Sequence, residues 1–279
     1  MIPRSHRTRL LTTVLLVPAV IAAVLAGGWV LFFMVFAASV LGLWEFFALR
    51  AGPGSGSGSG SGWKTLAPAV AGAALTLPLL TGFRDSDSVL VLGVLLGAVW
   101  IEKSAFLVGF GRSGPDGPPP AFPGALVAGL LYVPCALGFF LRFSPAEVFF
   151  VISAVAVSDA GAYYSGSLCG GPRLWPAVSP KKTWAGGLGG LALCVGWCLL
   201  YGTLWGQETG AMSWVWLAVG LNVASQGGDF YESALKRVAG IKDSGRLLPG
   251  HGGILDRMDG LLPAILVYAW ASGNATYFV

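Results

Sequence analysis

Charge is scarce in this 279-residue chain: 11% of its residues are Asp, Glu, Lys or Arg, against about 25% in soluble domains. That shortage excludes an ordinary soluble domain. Histidine occurs only at His6 and His251, and cysteine only at Cys135, Cys169, Cys194 and Cys198. No two cysteines form a C-x-x-C pair, so a zinc site and a disulfide framework are excluded and the four read as packing residues. The net charge of +4 is no nucleic-acid footprint, and no nucleic-acid partner is expected. The chain carries no internal repeat.

What is abundant is apolar: 55% of residues, with a mean hydropathy of +0.73. Runs near 20 residues recur along the length, enough for a helix to cross a ~30 Å hydrocarbon layer. Nine can be read, over roughly 10–26, 29–48, 65–82, 88–108, 121–141, 145–165, 184–205, 212–233 and 260–278. The expected fold class is therefore all-α: one polytopic domain over 1–279, embedded in the lipid bilayer. With the N-terminus inside, fifteen of the 17 cations fall on the cytoplasmic side, and only Arg84 and Arg142 fall outside. So lopsided a count orients the chain by the positive-inside rule, with a bacterial inner (plasma) membrane the expected location. Residues 54–62, an alternating Gly-Ser run, read as a flexible loop without function. The Pro-rich 111–120 reads as a second loop.

The charge that does exist is concentrated. Between Ser233 and Asp259 stand Lys236, Arg237, Lys242, Arg246 and Arg257, with Asp243, Asp256 and Asp259, around a Pro249-Gly250-His251-Gly252-Gly253 turn. Such density beside a bilayer is costly unless something charged is held there. Cations and a Gly-rich backbone suit phosphate, and clustered carboxylates suit a divalent metal. Just before it, helical spacing sets Gln226, Asp229, Ser233 and Lys236 on one stripe, with Glu232 beside it. Asp256 and Asp259 are three apart and would share a face. Asp229 and Asp256, with Asp259 as a third ligand or outer support, make an oxygen-ligand set for Mg²⁺, alone or with a second cation. Salt bridges to nearby cations are the alternative use of these acids, above all of Asp243 and Glu232.

Two upstream motifs join them. Ser158-Asp159-Ala160-Gly161-Ala162-Tyr163 places an acid inside an apolar run, where it must pair or bind a cation. Ser179-Pro180-Lys181-Lys182-Thr183-Trp184 offers two point charges and, in Thr183, a helix N-cap at an end that favours anions. Alone, that motif reads rather as a basic juxtamembrane anchor with an interfacial tryptophan.

These stretches resemble, position for position, the signature of the phosphatidate cytidylyltransferase (CDP-diacylglycerol synthase) family: Gln-x-Gly-Asp-x-x-Glu-Ser, Ser-x-hydrophobic-Lys-Arg, Lys-Asp, Pro-x-His-Gly-Gly and Asp-Arg-x-Asp. The resemblance covers 158–259 in detail. It departs at Ala185, where the family usually has Glu or Gln. It implies a membrane nucleotidyltransferase of phospholipid biosynthesis: CTP and phosphatidate give CDP-diacylglycerol and pyrophosphate. Asp229, Asp256 and Asp259 then go to metal. Lys236, Arg237, Lys242, Arg257 and the Gly250–Gly253 backbone go to the triphosphate and the leaving pyrophosphate. His251 reads as a phosphate contact rather than a base. Ser179, Lys181, Lys182, Thr183 and Ser233 are candidates for substrate. The resemblance also implies a homodimer, which nothing in the residues requires. Two other classes compete. A transporter of an anionic solute would show paired inverted halves, which are absent. A CDP-alcohol phosphotransferase would carry Asp-Gly-x-x-Ala-Arg, also absent.

Overall fold

In a computed structural model the described residues are 4–50, 132–207 and 209–278, with isolated positions at 70, 73 and 129. They are mostly helical: α1 (Arg4–Ala26), α2 (Gly28–Arg50), α3 (Pro134–Gly138), α4 (Pro145–Cys169), α5 (Trp184–Trp205), α6 (Ala211–Val238) and α7 (Leu261–Asn274). Short 3-10 turns stand at Phe139–Leu141 and Leu255–Arg257. α2, α4 and α5 contain stretches long and apolar enough to cross a membrane, at Gly28–Leu49, Pro145–Cys169 and Trp184–Trp205. Leu15, Trp29 and Phe33 on α1 and α2, and Leu188 and Leu204 on α5, are exposed, as suits faces turned to lipid.

Of the nine expected spans, 88–108 lies outside the described residues, and so does 65–82 apart from positions 70 and 73. So does most of 121–141, whose end is a five-residue helix and a 3-10 turn instead of one continuous helix. Pro134 explains the break, since it begins α3 and cannot continue a helix from before it.

The all-α expectation needs one correction. Arg173–Trp175 (β1) and Ser179–Thr183 (β2) form an antiparallel hairpin, with Arg173 opposite Thr183 and Trp175 opposite Ser179. Pro180 bars a helix there, and the Arg173 guanidinium donates to the Lys181 carbonyl at 3.1 Å. β2 runs straight into α5, and Thr183 is the cap: its hydroxyl accepts from the Gly186 amide at 3.1 Å. Replacing Thr183 with Ala should cost about 1 kcal/mol, read as a lowered thermal midpoint of the purified protein. An unchanged midpoint would show that the cap contributes nothing.

The chain divides into two compact units. The first comprises Met1–Phe83, Phe122–Pro145 and Leu235–Met258. Here Leu43 and Phe46 of α2 are fully buried, and Phe46 packs on Tyr132. The second comprises Arg84–Ala121, Ala146–Ala234 and Asp259–Val279. Its core gathers Tyr201, Trp214, Tyr268 and Phe278 around Phe150, with Trp214 edge to face and the other rings tilted. Helices α4 and α5 meet at glycines: a Cβ on Gly161 would stand 2.9 Å from the Gly189 carbonyl, and one on Gly186 2.8 Å from that of Ala162. With little hydrophobic drive between helices in lipid, such close backbone contact supplies the attraction.

Candidate active site

In the second unit, β2 and α6 bring two sequence-distant motifs together. Lys182 Nζ pairs with Asp229 Oδ2 at 2.6 Å and sits 4.5 Å above the Phe230 ring. Ser233, one turn on from Asp229, donates to its Oδ1 at a long 3.3 Å, as the helical stripe required. Asp159 of α4 joins this field, with Lys182 and Asp229 acting on it. Behind it lies a polar ladder. Gln226 donates to Asn222 Oδ1 at 2.9 Å, and Asn222 donates to the buried Ser158 hydroxyl at 2.7 Å. Lys181 is exposed and Ser179 half-buried on the same strand. Thr183, read from sequence as a substrate contact, spends its hydroxyl on the α5 cap.

Asp259 enters through a close backbone approach. Gly228 is packed so tightly on the Asp259 carbonyl that no Cβ could be accommodated there. The Asp259 carboxylate accepts the following amide, Gly260 N, at 2.8 Å.

In the first unit, Gly240 takes a positive φ of 67° to end α6, and the charged loop follows. Lys236 Nζ pairs with Asp256 Oδ1 at 2.6 Å, with 13% and 7% of the two side chains exposed. Asp256 Oδ2 accepts the amides of Ser244 (2.9 Å) and Gly253 (2.8 Å). Arg257, exposed, donates twice to the His251 carbonyl, through Nε (3.1 Å) and Nη2 (2.9 Å). Gly250 and Gly252 hold φ of 78° and 83°, which a side chain rarely tolerates. Of the turn's amides, that of His251 binds the Leu248 carbonyl and that of Gly253 binds Asp256, so both serve the turn itself. The His251 ring lies 3.4 Å from the Thr13 hydroxyl. Arg237 and Lys242 are exposed to any anionic ligand.

The reading from sequence missed Glu45. This carboxylate on α2 is 3% exposed and accepts from Ser244 Oγ (2.9 Å), Ile254 N (3.1 Å) and Leu255 N (2.8 Å). The signal was present: Glu45 is the lone acid in the first 84 residues, inside an apolar run. Asn222 and Phe230 were also missed, having no charge to flag them.

Among the described residues no group of three or more His, Cys, Asp or Glu side chains is gathered as a ligand set. Mg²⁺ does not demand one, since it binds through one or two carboxylates and completes its shell with water and phosphate. Asp229, 38% exposed and only weakly engaged at Oδ1, has the donor chemistry for that role.

The profile of the cytidylyltransferase family matches residues 7–272 of the chain. Similar proteins include the phosphatidate cytidylyltransferases of Brucella suis biovar 1 (strain 1330), 46% identical over 123 residues, and of Mycobacterium bovis (strain ATCC BAA-935 / AF2122/97), 42% over 125. That of Staphylococcus aureus (strain COL) is 41% identical over 121 residues. These matches take in 42%, 44% and 41% of this chain and 43%, 40% and 44% of the relatives, so the chain spans under half the length of the curated proteins it matches. With the family profile running through nearly all of its length and the signature residues standing in place, this chain belongs to the cytidylyltransferase family.

Proposed function

We propose that the chain transfers the cytidylyl group of CTP to phosphatidate, forming CDP-diacylglycerol and releasing pyrophosphate, at the cytoplasmic face of a bacterial inner membrane. The observation that carries this reading is the meeting of the Ser179–Thr183 and Gln226–Ser233 motifs at the 2.6 Å Lys182–Asp229 pair. A cation and a carboxylate from separate elements, beside apolar helices, suit a phosphate-bearing lipid and a nucleotide. The cytoplasmic placement rests on the distribution of the cations.

In this reaction a phosphate oxygen of phosphatidate attacks the α-phosphorus of CTP. The bond from that phosphorus to the oxygen bridging to the β-phosphate breaks, and pyrophosphate leaves with the electron pair. The attacking phosphate is already anionic at neutral pH, so no base is needed. The barrier is repulsion between polyanions, which cations aimed at the transferring and leaving groups lower. Lys181 and Lys182 meet phosphate on the hairpin side; Arg237, Lys242 and Arg257 supply exposed positive charge from the loop. Lys236 is held at Asp256 and acts from a fixed position. Mg²⁺ would be held by Asp229 with Asp259, completing its shell with water and phosphate, and would supply further neutralisation of the phosphates. Asp256, read from sequence as a metal ligand, is engaged instead by Lys236 and two backbone amides.

The test is direct. The purified protein, in lipid with phosphatidate, labelled CTP and Mg²⁺, should form a CDP-lipid in proportion to CTP. A folded preparation that forms none would overturn the proposal.

A further inference from the structure

We propose that Glu45 is a positioning residue for the charged loop, a role that rests on the function proposed above. Two carboxylates seat this loop, and they share Ser244. Its amide donates to Asp256 Oδ2 and its hydroxyl to Glu45 Oε2. Glu45 then takes the amides of Ile254 and Leu255, the two residues immediately before Asp256. Asp256 in turn holds Lys236. The chain of contact therefore runs from a helix in the apolar layer, through one turn of backbone, to the Lys236–Asp256 pair.

The surrounding glycines fit this role. Gly245 and Gly253 both lie so close to the Glu45 carboxylate that a Cβ at either would collide with it. The loop is thus shaped around this side chain. An ionised carboxylate only accepts, and all three groups facing Glu45 donate, so the match is complete in kind. An amide cannot reproduce it. With the oxygen of Gln kept opposite Ser244 and Leu255, its NH₂ faces the Ile254 N–H; in the reverse choice the Ser244 hydroxyl can turn to accept, but the NH₂ faces the Leu255 N–H.

Glu45→Gln should lower kcat for CDP-lipid formation about thirtyfold, with the KM for phosphatidate changed less than about threefold, because the loop loses alignment rather than the lipid its site. Amide hydrogen exchange in the 243–257 segment should accelerate at least about tenfold, while α4 and α5 stay as protected as in the wild type. Ser244→Ala, which removes one donor and leaves the carboxylate, should shift both readouts in the same direction by a smaller factor. Should Glu45→Gln fail to accumulate, this variant decides by the same two readouts. A kcat within twofold of wild type with unchanged loop exchange overturns the proposal. So does exchange accelerated throughout the molecule, which would mark Glu45 as a general packing group. The exchange measurement needs no substrate. Absence of CDP-lipid from the wild type would therefore strike the proposed function, while exchange still decides whether Glu45 seats the loop.

Discussion

Asp229→Asn is expected to lower turnover at least about hundredfold and to leave the protein folded, the loss matching about 3 kcal/mol of charge-dependent interaction. The change keeps shape and removes charge. Asp229 is 38% exposed, and its partner Lys182 is 27% exposed. A pair so open to solvent contributes about 0–1 kcal/mol to stability, so the thermal midpoint should hardly move. Lys182 also keeps its contact with the Phe230 ring in the variant. What the amide cannot supply is the carboxylate charge proposed to bind Mg²⁺ and to set the charge balance around the phosphates. Steady-state kinetics over a range of Mg²⁺, with a thermal scan of the same preparation, read both parts. Near-normal turnover at saturating Mg²⁺ would remove Asp229 from the proposed metal site.

Asp256→Asn should fail in a different way, losing activity and stability together. Its carboxylate is almost buried, faces a nearly buried ammonium, and closes two backbone amides. The amide leaves Lys236 without its counter-charge, and breaking a buried pair from one side costs about 3–5 kcal/mol. A marked fall in thermal midpoint should therefore accompany at least a hundredfold or so loss of turnover, the latter again about 3 kcal/mol. Lys236→Met, which removes the stranded cation along with its partner's charge, should recover part of the stability of Asp256→Asn but none of its activity. If Asp256→Asn kept the wild-type midpoint, the buried pair would not be what holds the loop.

Local features were legible in the sequence because their causes are local. Apolar runs marked α2, α4 and α5, since bilayer thickness sets a length and hydrocarbon sets a composition. The stripe on α6 followed from 3.6 residues per turn and returned as the Ser233–Asp229 contact. Thr183 announced its own cap. The signature residues pointed to the family, because spacing and identity survive in one dimension. The sequence by itself thus determined that the chain is mostly apolar helix and to which family it belongs.

Partner choice belonged to the tertiary structure. Nothing in the order of residues says that Lys182 takes Asp229 or that Lys236 takes Asp256, for each ion has several candidates and only packing decides which arrive within 3 Å. The β1–β2 hairpin was invisible for the same reason: strands of three and five residues carry little periodicity and exist through their pairing across the turn. Glu45 is the clearest case. It meets Ser244 and Leu255 across 199 and 210 residues of chain, and its three donors are two amides and a hydroxyl, groups that no motif distinguishes. A buried carboxylate must find donors, so the lone acid of α2 required a partner somewhere. Only the folding of α2 against the loop determined which backbone would supply it.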